Sequence, residues 1–178
     1  MMQAIIFLLD AIVSFFCSLF LLRFMMQAMR VSFAGQLGNF VVALTNWAVK
    51  PLRRVIPGIG GLDWSSVFVA FALQLLFAGI VIGASTHLGE VDAASLAPMI
   101  LWFAVRGLIR TVVYIFIAAL ILQAVLSWVN PYSPLSAPAQ QLTRPMLDPI
   151  RRIIPLISGI DLSPLVAILL LQLLLSFL

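Results

Sequence analysis

Apolar residues in this chain come in long, nearly unbroken blocks and do not alternate with polar ones. Four blocks approach membrane-crossing length: residues 4–22, residues 67–82 with a lead-in at 62–66, residues 111–129 and residues 162–178. A helix needs about 20 residues at 1.5 Å rise to cross a hydrocarbon core of roughly 30 Å. The fourth block is short, so it is expected to sit with little tilt or to thin the bilayer locally. Between the blocks the pattern changes. Leu37, Phe40, Val41, Leu44, Trp47 and Ala48 recur at helical spacing. They predict an amphipathic helix on the membrane surface, with Trp47 at headgroup depth; the competing reading is a soluble helix packed on its own domain. In the second half, Asn130-Pro131-Tyr132-Ser133-Pro134 reads as a rigid turn. Ser136 is then expected to cap a short helix running through Thr143, which Pro145 ends.

Composition turns this pattern into a class. Of 178 residues, 63% are hydrophobic and 9% are charged. The mean hydropathy is +1.19. Sixteen charged side chains cannot coat a soluble domain of this size, and such a chain is too apolar to stay disordered. The expected fold class is an all-α membrane protein with four transmembrane helices. No basic residue precedes the first block and Asp10 interrupts it, so it reads as a retained span and not as a signal peptide.

The net charge of +4 sits mostly between the blocks. The first loop carries five basic residues (Arg23, Arg30, Lys50, Arg53, Arg54) and the third carries three (Arg144, Arg151, Arg152). The second carries Glu90 and Asp92, with Arg106 and Arg110 where the third block begins. The positive-inside rule then places loops one and three in the cytoplasm and both termini outside. Cys17 is the only cysteine and His87 the only histidine. An internal disulfide is excluded and the usual multi-ligand metal sets have no basis, so no cofactor or metal is expected.

The most informative feature is a duplication. Pro51-Leu52-Arg53-Arg54-Val55-Ile56-Pro57 recurs 98 residues later as Pro149-Ile150-Arg151-Arg152-Ile153-Ile154-Pro155. The register holds without gaps from residues 44–76 to 142–174, with 15 of 33 positions identical. Further upstream an offset of 96 pairs Phe20 with Phe116 and Gln27 with Gln123. The chain divides into a first repeat at 1–86, an outer loop and lead-in at 87–105, and a second repeat at 106–178. Each repeat contains two spans and returns to its starting side, so the repeats are expected to be parallel, related by an axis along the membrane normal.

Several polar residues stand where chemistry is expected. Asp10 lies about 9 Å into the first span, a depth at which an ionisable group is a functional candidate. At offset 96 its counterpart is Arg106. An Asp10–Arg106 pair is expected, with Arg110 as the alternative partner; a polar pathway and snorkelling to the surface are competing readings. Gln74 and Gln172 match at mid-span and are expected to bond a neighbouring helix, with substrate contact as the other reading. Asp63 and Asp161 precede the second and fourth spans, where the helix dipole favours an anion and the Arg-Arg pairs are near; cation coordination is the rival. Ser163 followed by Pro164 reads as N-cap and first helical residue. Gly79 and Gly83 form a G-x-x-x-G pattern that permits close helix approach. The pairs Arg53-Arg54 and Arg151-Arg152 read as topology anchors or as phosphate-binding pairs for anionic lipid heads or an acidic partner. Nucleic acid is not an expected partner, because no aromatic-basic interleaving accompanies them. Gly58-Ile59-Gly60-Gly61 lacks the Lys-Ser/Thr of a P-loop. No catalytic residue set is found and no enzyme activity is expected.

Trp128-Val129-Asn130-Pro131, Pro149 to Pro155 and Gly159-Ile160-Asp161-Leu162-Ser163-Pro164 together resemble the YggT/YlmG family of small bacterial and plastid membrane proteins. The first half is similar through Leu22-Arg23, Gln27, Leu44-Thr45-Asn46, residues 51–57 and Asp63, but Ala34-Gly35 stands where the family pattern often has Asn-Pro. The resemblance implies a bacterial inner-membrane or thylakoid protein without established catalysis, linked to osmotic tolerance and ion homeostasis, cell division or cytochrome assembly. The expected function is an accessory or scaffold that docks lipids or a membrane protein partner through its Arg-Arg turns. The alternative is a small ion or solute channel or transporter component, acting as a homo-oligomer.

Overall fold

The computed structural model describes residues 2–56, 58, 60–85, 93–153 and 161–178. Pro57, His87, Glu90, Asp92, Ile154, Pro155, Gly159 and Ile160, on which some expectations fall, lie outside the described residues. Six helices follow one another: α1 (Met2–Ala28), α2 (Gln36–Leu52), α3 (Trp64–Ser85), α4 (Ala93–Val129), α5 (Ser136–Ile153) and α6 (Ser163–Phe177). Each half runs long apolar helix, amphipathic helix, apolar helix.

α1, α3 and α4 are long and apolar enough to cross a membrane. Less than a quarter of the most apolar window of each is buried inside the chain. Phe7, Leu8, Phe15, Phe68, Leu76 and Trp102 face outward, a surface that only lipid or another apolar partner can cover. The chain is a multi-pass membrane protein. α6 has 15 residues and is the shorter apolar helix.

α3 packs on both α1 and α4, and α4 also meets α1, α5 and α6. Repeat-related positions build the cores. Cys17, Phe20 and Val49 pack together in the first half; Val113 and Leu147, the counterparts of Cys17 and Val49, pack with Leu120 and Ala167 in the second. α2 buries Gly38, Val41, Thr45 and Val49, one stripe at helical spacing. Gly38 is required there, because a Cβ would lie 2.4 Å from the Phe33 backbone. α1 ends with Arg30 at φ 56°, the Val31 N–H reaching the Met26 carbonyl at 2.7 Å, a Schellman-type stop.

Four expectations about helix bounds and caps are corrected. The helix expected to end at Pro145 continues to Ile153, with Pro145 and Pro149 inside it. Both prolines lie on its exposed face, where the carbonyls they leave unbonded stay accessible, while Ala139, Leu142, Thr143 and Leu147 hold the other face. The stretch taken as loop and lead-in is helical from Ala93, so α4 carries Arg106 and Arg110 within a 37-residue helix. Finally, Ser163 does not cap α6. Its N–H donates to Asp161 Oδ1 at 2.9 Å, which makes Asp161 the capping side chain. Ser136 likewise donates back to the Asn130 carbonyl, at 3.4 Å. That carbonyl also accepts the Ser133 N–H at 3.1 Å, closing the turn through Pro131.

Candidate functional site

Two polar regions stand at opposite ends of an otherwise apolar bundle. The first lies where the amphipathic helices turn into the following spans. Gly60 and Gly61, at φ +66° and +77°, take the left-handed backbone that swings the chain from α2 into α3. That turn returns Asp63 to Arg53, ten residues back. Arg53 Nε and Nη2 donate to Asp63 Oδ2 at 3.1 and 2.6 Å. Arg23 reaches the same oxygen from α1 at 3.3 Å, without hydrogen-bond alignment. Its Nη1 donates to Thr45 Oγ1 at 2.7 Å and to Asn46 Oδ1 at 3.0 Å. Gln27 Oε1 accepts the Asp63 N–H at 2.7 Å. The Arg23 and Asp63 side chains are 6% and 1% exposed, so this is a buried, charged knot joining α1, α2 and α3.

The second half repeats half of it. Arg151 Nε and Nη2 donate to Asp161 Oδ2 at 2.9 and 2.7 Å. No arginine matches Arg23; Ala119 stands there, and the Thr143 hydroxyl sits instead between Gln123 Oε1 and the Ala139 carbonyl. The pair is more open, with side chains 43% and 30% exposed. Partial burial opposes ionisation of Asp161, but the hydrogen bonds from Ser163 and the adjacent Arg151 outweigh it and hold the carboxyl below its ordinary value. In both halves the second arginine is left over. Arg54 and Arg152 are exposed, and their side chains make no hydrogen bond or ion pair among the described residues.

The second region is a cavity of about 490 Å³ at the other end, between α1, α3 and α4. Asp10, Ser14 and Ser18 line it from α1, Gln74 from α3, and Arg106, Arg110 and Tyr114 from α4. The expected Asp10–Arg106 ion pair is not formed, although both residues face this cavity. Asp10 accepts from Ser14 Oγ at 3.4 Å. Arg110 turns to the Tyr114 hydroxyl, at 3.3 and 3.4 Å, with its guanidinium 5.7 Å from the ring centre.

Gln74 is buried, with Nε2 3.7 Å from Cys17 Sγ. Its repeat partner Gln172 is exposed on α6 and does not enter the cavity. Gly79 and Gly83 have open space where a Cβ would stand. The close approach falls at Gly107, where a Cβ would lie 2.4 Å from Gln74 Oε1. Sequence reasoning missed Gly107 and the two i, i+4 ladders Asp10-Ser14-Ser18 and Arg106-Arg110-Tyr114, although their spacing is legible.

The sequence model of the family described as CCB3/YggT matches residues 2–83 and 102–178, two segments that correspond to the two halves. The chain is 34% identical to the uncharacterized protein YggT of Escherichia coli strain K12, over 96% of this chain and 86% of that one. It is 33% identical to an uncharacterized protein of Pseudomonas aeruginosa, over 96% and 85% of the two chains. An uncharacterized Vibrio alginolyticus protein is 35% identical, over 93% and 88%. No solved structure matches significantly. A chain of apolar helices with an Arg–Asp pair in each half, matched by the family model in two segments and by relatives over nearly its full length, thus belongs to the CCB3/YggT family.

Proposed function

We propose that this protein is a four-span accessory or scaffold of the bacterial inner membrane, docking lipids or a membrane protein partner through Arg54 and Arg152. In this reading α1–α3 and α4–α6 are parallel repeats, α6 is the fourth span, and both Arg-Arg turns face the cytoplasm. Matching element order, matching core positions and the two-segment family match support it. The excess of basic residues on the connector side supports the orientation.

The observation that carries the reading is the common division of labour within each pair. The first arginine is clamped by an aspartate at 2.6 or 2.7 Å, which ties the end of the amphipathic helix to the start of the next apolar one. The second is exposed and without a partner among the described residues, a guanidinium suited to bidentate capture of phosphate or carboxylate. Copurification in mild detergent tests it. The wild type should retain a stoichiometric membrane protein partner that Arg54→Gln with Arg152→Gln releases, or more anionic lipid per chain than that variant keeps. Equal retention by both proteins would refute it.

The polar cavity favours a second reading, a solute or ion pathway lined by Asp10, Gln74 and Arg106. Ion flux from pure protein in liposomes, lost in Asp10→Asn, would support this pathway. Its absence in the wild type would remove it. A role in osmotic tolerance or ion homeostasis fits either reading.

A further inference from the structure

The polar cavity does not end in packed protein. A second cavity of about 400 Å³ continues along the furrow between α1 and α4, and Ser18 and Tyr114 line both. The second one is apolar, walled by Leu19, Leu22, Ile115 and Leu122, with Leu37, Ala139 and Leu142 closing its lower end from the amphipathic helices. The furrow is therefore charged at one end and hydrocarbon-like at the other. Its charged end holds two guanidiniums, Arg106 and Arg110, against one carboxylate, Asp10. Arg106 makes no hydrogen bond or ion pair among the described residues. The one cation in excess within a membrane helix calls for an anionic partner. Polar donors converging above an apolar slot of this size have the character of a ligand site.

From this geometry we infer that the α1–α4 furrow is a seat for one anionic phospholipid, its phosphate held by Arg106 and Arg110 and one acyl chain laid in the apolar groove. The two arginines lie one helical turn apart on one face of α4, so both reach a single phosphate. Tyr114 and Ser18 mark the level where the polar lining of the furrow gives way to apolar side chains. A small soluble anion would use the upper cavity and leave the groove empty. The site shares no residue with the Arg54 and Arg152 turns and does not depend on their role.

Native mass spectrometry of the purified full-length protein, titrated with phosphatidylglycerol or phosphatidylcholine, tests the inference. The wild type should bind one phosphatidylglycerol about tenfold or more tighter than phosphatidylcholine, the scale of charge-assisted hydrogen bonds. Arg106→Gln with Arg110→Gln should abolish that preference. Ala118→Phe fills the groove from an outward-facing position, so it leaves the fold intact and should weaken phosphatidylglycerol binding by a similar factor. Arg54→Gln with Arg152→Gln should leave it unchanged, which separates this site from the connector face. Equal binding of the two lipids by the wild type, or full phosphatidylglycerol binding by Ala118→Phe, would overturn the proposal. Competition by glycerol phosphate at the same concentration as the lipid would also overturn it, by showing an anion site with no use for the chain.

Discussion

Asp63→Ala and Asp161→Ala make the same chemical change at repeat-related positions, yet they should differ in consequence. At Asp63 the loss strands Arg23, whose side chain is 6% exposed. Removing one member of a buried ion pair costs about 3–5 kcal/mol. Arg23 keeps its bonds to Thr45 and Asn46, so the lower end of that range, about 3 kcal/mol, is expected. Arg53, 46% exposed, turns to water and adds little. At Asp161 the partner is also half exposed, so the pair itself contributes about 0–1 kcal/mol. Loss of the cap on Ser163 adds about 1 kcal/mol. Asp63→Ala should therefore be more destabilising by about 1–2 kcal/mol, roughly a tenfold difference in the unfolding constant. Reversible unfolding in mixed detergent and SDS micelles, followed by helicity, measures both. Arg23→Met combined with Asp63→Ala should recover part of the loss, because no buried charge is then left alone. Equal losses at the two aspartates, or a double variant as unstable as the two single losses added, would refute the argument.

Three further outcomes are expected. Gly107→Ala forces Gln74 to move, since the new Cβ would meet Oε1 at 2.4 Å; it should cost about 1–3 kcal/mol in the same assay, and Gln74→Ala should relieve it. Pro145→Ala restores a donor to the middle of α5 and should stabilise the protein by about 1 kcal/mol or more, a gain reduced by the freer unfolded chain; destabilisation would mean that α5 is broken there. The Asp161 carboxyl is held below its ordinary value by Ser163 and Arg151, so its contribution is fully present above about pH 4, the unfolded value, and fades as pH falls through the lower folded one. The stability difference between wild type and Asp161→Asn, followed from pH 7 downward, should shrink only in that acid range.

The long apolar blocks and the 98-residue duplication were legible because both are properties of the chain alone. They led to the apolar helices, the amphipathic α2 and the matching halves. Pro145 misled because its meaning is tertiary. Leu142, Thr143 and Leu147 bury one face of α5, and that packing outweighs the hydrogen bonds the prolines forgo. Arg106 and Arg110 read as a boundary because charges usually end a span, but the helix continues on both sides of them and the polar cavity takes their heads. Arg23 counted as a loop charge and as part of the family resemblance, not as a partner of Asp63. Its role needs Thr45, Asn46 and Asp63, which lie 22 to 40 residues away and meet it only after α2 and α3 fold back on α1. One clue was available: the repeat places Ala119 opposite Arg23, so the two turns could not be alike in charge. Asp10 and Arg106, expected to pair, line one cavity without forming that contact, since symmetry gives similar depth but not the distance between helices.

Site-directed labelling tests the central claim, two homologous halves inserted side by side with both arginine turns in the cytoplasm. In a Cys17→Ser background, single cysteines at Arg54 and Arg152 should each react with a membrane-impermeant maleimide only when the cytoplasmic face is accessible. Labelling of the two positions from opposite sides of the membrane, or of both from the outside, would contradict the account.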